Sequence, residues 1–199
     1  MADQGQIEIL RRGVAAWNAW REENPTAEFD LRGADLPGAD LRGAYLHVVN
    51  LQGANLSGAN LSGVLLLRTD LRGADLRGAN LQQASLEGTD LRRANLQGAN
   101  LQQARLSRAD LRAANLLQAE LAKAELVKAN LQGANLQQAR LSRANLSRAD
   151  LRQATLIGAN FEGATLRDAD LRRATLIGAT VTQAQLAQAR SLEDAVGPW

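Results

Sequence analysis

His47 is the single histidine in a chain of 199 residues, and there is no cysteine to serve as nucleophile, disulfide partner or thiolate ligand. A catalytic or metal centre needs titratable groups that converge in a protected concavity. One isolated imidazole does not supply that, so the chain reads as a non-enzyme without cofactor or metal. Carboxylates are more numerous and strictly spaced: Asp30, Asp70, Asp90, Asp110, Asp150 and Asp170 lie at multiples of twenty residues from one another. Stacked in a column, they suggest a ladder for a metal or an anion. Their neighbours suggest something plainer. The triplet Asp-Leu-Arg occurs eight times, whereas no Asn-Leu pair is followed by Arg. Residues on either side of a strand position point to one face, so each Asp can pair with its own Arg. The result is a solvated, charge-balanced wall, with each exposed pair worth about 0–1 kcal/mol. A third grouping is basic: Arg105, Arg108, Lys123, Lys128, Arg140, Arg143 and Arg148, moderated by Glu120 and Glu125. Such a field attracts anionic partners.

The elements that position these residues follow a period of five, which belongs neither to a helix nor to a flat strand. A central apolar residue recurs at every fifth position from Leu31 to Leu186 in 32 consecutive repeats, with Phe161 and Val181 the two departures from Leu. Two residues before the centre stands Ala in 27 of the 32; Phe29, Val49, Val64, Thr69 and Thr89 are the others. The tandem Ala-(Asp/Asn)-Leu-x-x resembles the pentapeptide-repeat family over residues 29–188. The resemblance implies an all-β fold, a right-handed quadrilateral parallel β-helix with one pentapeptide per side and four per coil. Thirty-two repeats then make about eight coils and, at roughly 4.8 Å per coil, a rod about 38 Å long. Centre and preceding Ala face inward, and the other three residues face out. Aromatics are only 3% of the chain, so leucine and alanine must build the core.

Corners require a turn, and the second residue after the centre is Gly in 14 of 32 repeats, suited to the positive φ of a type II turn. Glycine fills nine of twelve corners in coils 1–3 and two of twelve in coils 4–6, so a less regular turn is expected where Arg, Lys or Gln takes the corner. Three segments follow: an amphipathic capping helix in 1–28, the repeats in 29–188 and a short C-terminal cap in 189–199. Ile7, Leu10, Val14 and Trp17 have helical spacing, and Asn24-Pro25 ends the helix. That cap covers an open strand edge, an aggregation hazard. Leu192, Val196 and Trp199 form a minimal lid at the other end, where a homodimer is the alternative; family members that act on gyrase dimerise there.

Two faces break the pattern. On face four, coils 1 and 2 expose Tyr45, His47, Val48, Leu65 and Leu67, beside inward Val49 and Val64. This patch is either covered by Trp17 or Trp20 or open to a partner. On face two, Leu117, Ile157 and Ile177 form an outward apolar column interrupted by Gln137.

The leading functional reading is a rigid scaffold for an unidentified protein partner. Some family members mimic duplex DNA at gyrase, a type II topoisomerase, but residues 29–188 hold 19 basic and 14 acidic residues, the wrong sign for such a mimic. Binding of an anionic polymer through the basic corner is the other alternative. Nucleic acid is disfavoured by the scarcity of aromatic stacking platforms. No run of about 18 apolar residues or signal-peptide core is present, so the expectation is a cytoplasmic protein without a membrane partner.

Overall fold

A computed structural model of the chain, described for residues 3–197, shows how a period of five becomes a coil of twenty. With the exception of Tyr45, the residue just before each centre forms a parallel bridge with the residue twenty positions on, from Asp30↔Asn50 to Asn160↔Thr180. Pairing is confined to single bridge residues because each side is cut short by the next turn. Three hydrogen bonds per regular repeat hold the coils together: Leu71 N–H donates to Asp90 O at 2.8 Å, Gly73 N–H to Arg92 O at 2.9 Å, and Asp75 N–H donates back to Ala54 O at 2.9 Å. Corners close with a further bond inside the coil, as in Ala34 N–H to Leu31 O at 3.0 Å.

The centres from Leu31 to Leu176 are all buried, none more than 6% exposed. Each such Leu contributes roughly 1.5–3 kcal/mol relative to exposure. The Ala before each centre is small enough to let four sides meet, and it is buried with the leucines throughout coils 2–7.

The corners are more uniform than their composition suggests. Every corner from Gly33 to Gly178 has positive φ: the glycines span 62° to 74° and the sixteen other residues 55° to 61°. The expected less regular class does not form. Lys123 N–H donates to Ser142 O at 2.9 Å just as Gly53 N–H donates to Arg72 O at 2.9 Å, so the ladder imposes one geometry whatever the side chain. An L-residue held there pays about 1–2 kcal/mol. Val48, β-branched and at φ 61°, is the most strained of them. Val48→Gly is therefore expected to raise the thermal midpoint, with a gain of about 0.5–1 kcal/mol after the added unfolded-state entropy is subtracted. A lowered midpoint would show that the corner carries no strain.

The N-terminal cap differs from the single helix expected. It is two helices, α1 (Gln4–Arg11) and α2 (Val14–Glu23), because Gly13 at φ 117° breaks the run. Together they stand in for a missing coil. Gln6 Nε2 donates to Glu28 O at 2.8 Å while its Oε1 accepts from Asp30 N–H at 2.9 Å, which closes the first edge. Asn18 does the same on side four, donating to Gly43 O and accepting from Tyr45 N–H, each at 2.9 Å. Trp17 is fully buried against Trp20 and Phe29, with ring centroids 5.6 and 6.3 Å away. Phe29 occupies an Ala position here because no earlier coil crowds it.

At the other end, the frame that runs through Val181 to Leu186 in sequence gives way to α3 (Gln183–Leu186). Gln185 Nε2 donates to Phe161 O at 2.6 Å and Ala164 O at 2.9 Å, replacing a strand. One inserted residue later the ladder resumes as Asp170↔Ser191 and Thr175↔Val196, twenty-one residues apart. Residues 190–196 thus add two further sides. Leu192 packs against the core and Val196 stays 52% exposed, while Trp199 lies outside the described residues.

Candidate interaction surface

On the charged walls, all eight Asp-Leu-Arg triplets form their ion pair, with Nη2–Oδ2 distances of 2.5 to 2.7 Å. On face one the pairs also reach along the column: Arg72 Nε lies 3.7 Å from Asp90 and Arg92 Nε 3.7 Å from Asp110. These carboxylates are therefore spent on arginine. The Arg42 hydrogen bond holds the exposed Asp40 carboxyl down at about 2. Asp30, Asp75 and Asp170 are lowered chiefly by hydrogen bonds from Arg32, Arg77 and Arg172. Burial pushes Asp70 and Asp90 up, but the bonds from Arg72 and Arg92 outweigh it and both end lowered.

The consequence for stability has a definite sign. Folded carboxyls below their unfolded value of about 3.9 stabilise fully above it, and this is lost as pH falls through the folded values. Circular dichroism is expected to stay constant from neutral pH to about 4, with stability declining between about 4 and 2. A denaturation midpoint that is the same at both ends of that acid window would remove these pairs from the account.

On face four the helices leave the apolar patch uncovered. Trp17 Nε1 donates to Tyr45 O at 3.0 Å, and Arg21, stacked 3.7 Å above Phe29, donates to the carbonyls of Tyr45 and His47. Apart from Arg21 Nη2 beside the His47 ring, these contacts reach the backbone only. Tyr45 is 43% exposed, Val48 57%, Leu65 53% and Leu67 36%. His47 is exposed beside Arg21 Nη2, 3.5 Å from its Nε2; partial burial and the Arg21 charge lower its pKa. Tyr45 and Leu65, with Gly43 and Gly63, line a shallow groove of about 280 Å³ between coils 1 and 2. The ladder is broken at this groove. Among the described residues, Tyr45 and Leu65 form no bridge with each other, although Leu65 pairs onward with Ser85, and the amides of Leu46, Val49 and Leu65 have no backbone partner. Val49 and Val64, bulkier than Ala, sit at the adjoining inward corners.

Two residues that the repeat pattern marked only as irregular have a role here. The Thr69 hydroxyl donates to Leu46 O at 2.7 Å, taking the place of the missing turn bond, and Thr89 repeats the contact at Leu66 O, also at 2.7 Å. Their signal in the sequence was Thr in an Ala column. Face two is different: Leu117 and Ile157 are half-buried and Ile177 is 52% exposed, so the column is partial and lies on another wall from the groove.

The profile of the family described as "Pentapeptide repeats (8 copies)" matches residues 30–63, 54–93, 69–108, 104–143 and 144–183. Among solved structures, a trypsin-treated form of QnrB1, a plasmid-mediated fluoroquinolone resistance protein, is 18% identical, with coverage of 85% of this chain and 86% of that one and a TM-score of 0.53. HetL, involved in heterocyst differentiation regulation in the cyanobacterium Nostoc sp. strain PCC 7120, is 29% identical over 89% of this chain and 92% of its own, TM-score 0.34. A protein of the Arabidopsis thaliana thylakoid lumen is 30% identical over 68% and 74%, TM-score 0.26. No curated protein matches the sequence. Matched over most of its length, with the bridge, turn and core residues recurring every five positions, the chain belongs to the pentapeptide-repeat family.

Proposed function

We propose that this protein is a non-enzymatic scaffold, a right-handed quadrilateral solenoid that presents one wall to a protein partner. The observation that carries the reading is the exposed group Tyr45, Val48, Leu65 and Leu67 beside a broken ladder, on a rod whose carboxylates are otherwise largely tied to arginine. Departures from a repeat rule mark places where function or contacts intervene. The filled Leu/Ala core supports the non-enzymatic reading, since it leaves a substrate only the walls. Ile177, Ile157 and Leu117 form a secondary contact on face two.

The test is affinity capture from the source cells, wild type against Leu65→Ser/Leu67→Ser. Loss of specific partners is expected; an unchanged partner set would defeat the face-four assignment. DNA mimicry at a type II topoisomerase is the alternative, and the excess of basic residues weighs against it. A supercoiling assay in which the protein inhibits or protects gyrase would reinstate it. A homodimer through the C-terminal end and a cytoplasmic location belong to the same proposal; sedimentation and cell fractionation test them.

A further inference from the structure

The same wall changes character about three coils along. Corners are left-handed everywhere, and glycine relieves them at least cost. Coils 1–3 mostly use it, but coils 4–6 give glycine up at ten of twelve corners and place Arg or Lys at six: Arg93, Arg108, Lys123, Lys128, Arg143 and Arg148. Strain retained at a run of positions needs a compensating use. Five of the six border face four. Arg108, Lys128 and Arg148 follow one another down one corner, and Lys123 and Arg143 follow one another down the opposite corner.

Their charges are largely unspent. Arg148 reaches Asp168 at 3.5 Å, but among the described residues the side chains of Arg108, Lys123, Lys128 and Arg143 form no ion pair or hydrogen bond, and all four are exposed. Other charges nearby are mostly paired: Arg105 with Glu87 at 2.5 Å and Arg140 with Glu120 at 3.4 Å. Glu125, which accepts from Asn145 Nδ2 at 3.2 Å, is the one unpaired carboxylate between the two corners. Apart from Glu125 and the Glu87-paired Arg105 in the same column, the floor of the wall is small and neutral: Ser107, Val127, Asn145 and Ser147. Two rails of cations, all but Arg148 free of an ion pair, thus flank a strip with few charges, with about 10 Å between the first and last cation of the longer rail.

We infer that face four of coils 4–6 is a seat for an acidic, extended segment of a protein, its Asp and Glu carboxylates held by the corner residues Arg108, Lys128, Lys123 and Arg143. This deepens the scaffold reading and rests on it: the seat lies on the same wall as the Tyr45–Leu65 groove, about three coils away. Charge complementarity selects an anion, and two features select protein over nucleic acid. No aromatic side chain stands on this stretch to stack a base. The rails are also too short for the roughly 6–10 phosphate contacts of duplex binding.

The test uses the full-length protein and a fluorescein-labelled oligoglutamate peptide, followed by anisotropy at low and at moderate salt. The peptide is expected to bind at low salt and to weaken as salt rises. Arg108→Gly/Lys128→Gly and Lys123→Gly/Arg143→Gly are each expected to weaken it at least about tenfold. Because glycine suits these corners, the thermal midpoint is expected to hold or rise, which separates lost binding from lost fold. Arg42→Gln, on a charge-paired wall of coil 1, is expected to leave binding unchanged. Absence of peptide binding at low salt, or binding indifferent to the corner variants, would overturn the inference. So would a short DNA duplex that binds more tightly than the peptide and loses affinity in the same variants. Failure of any of these leaves the Leu65/Leu67 capture result standing, so the two readings fall separately.

Discussion

Leu106→Ala is expected to lower the unfolding free energy by about 2–5 kcal/mol. Leu106 is fully buried in coil 4, with its N–H donating to Glu125 O at 2.7 Å, so truncation removes side-chain volume while the ladder bond remains. The coils above and below are pinned by their own ladders and can close only part of the void. Interiors packed this closely respond to the loss of single methylenes. Ser107→Ala, one residue along on the outer wall, is expected to change stability by no more than about 0.5 kcal/mol. Denaturant unfolding of the pair makes the comparison. A Leu106→Ala loss below about 1 kcal/mol would mean that the leucine columns are not a dry, well-packed core. Because each coil contacts only its neighbours, the loss should be felt most in coils 3–5.

Trp17→Ala is expected to cost about 3–5 kcal/mol and to produce concentration-dependent association. Trp17 is fully buried, packs on Trp20 and Phe29, and donates its indole N–H to Tyr45 O at 3.0 Å. Without it, α2 loses its buried anchor and is left with the polar contacts of Asn18 and Arg21 on side four of coil 1. The carbonyls of Tyr45 and His47 then depend on Arg21 alone, and the edge beneath the cap is opened to other chains. Thermal unfolding reads the first effect and light scattering after gel filtration the second. A variant that stays monomeric with less than about 1 kcal/mol lost would show that the helices decorate the rod without capping it.

Much of this architecture was legible because a five-residue rule leaves little freedom. Leu71 and Ala74 declare the inner face, and Asp70 with Arg72 declares the outer. What escaped reading came from bonds that composition does not encode. Gln83 and Lys123 do not look like left-handed residues, yet ladder bonds from their own amides hold them there. Gly13 was readable as a helix interruption, but Ile7, Leu10, Val14 and Trp17 keep helical spacing across it and mask the break. Gln6 and Asn18 close the first coil through side-chain amides that carry no periodic signal. The inserted residue before Ser191 hid because Leu186 still falls in frame and is buried, although its backbone is helical. For the candidate surface, Tyr45, Leu65 and Leu67 stood out as apolar residues at outward positions. The missing ladder bonds beside them could not be read, since nothing in the residue types of Leu46, Val49 and Leu65 marks an amide without a partner.

Amide hydrogen exchange in the native protein tests the account most directly. Each centre N–H from Leu51 to Leu176 other than Leu166, which faces α3, is expected to exchange slowly, because it donates to the carbonyl of the following coil. Leu46, Val49 and Leu65, whose amides have no such partner, are expected to exchange far faster although Leu46 and Val49 are buried. Rapid exchange at the leucine centres of coils 3–6, or protection of Leu46 and Leu65 equal to that of Leu66, would contradict a coiled rod with a sealed interior and one opened seam.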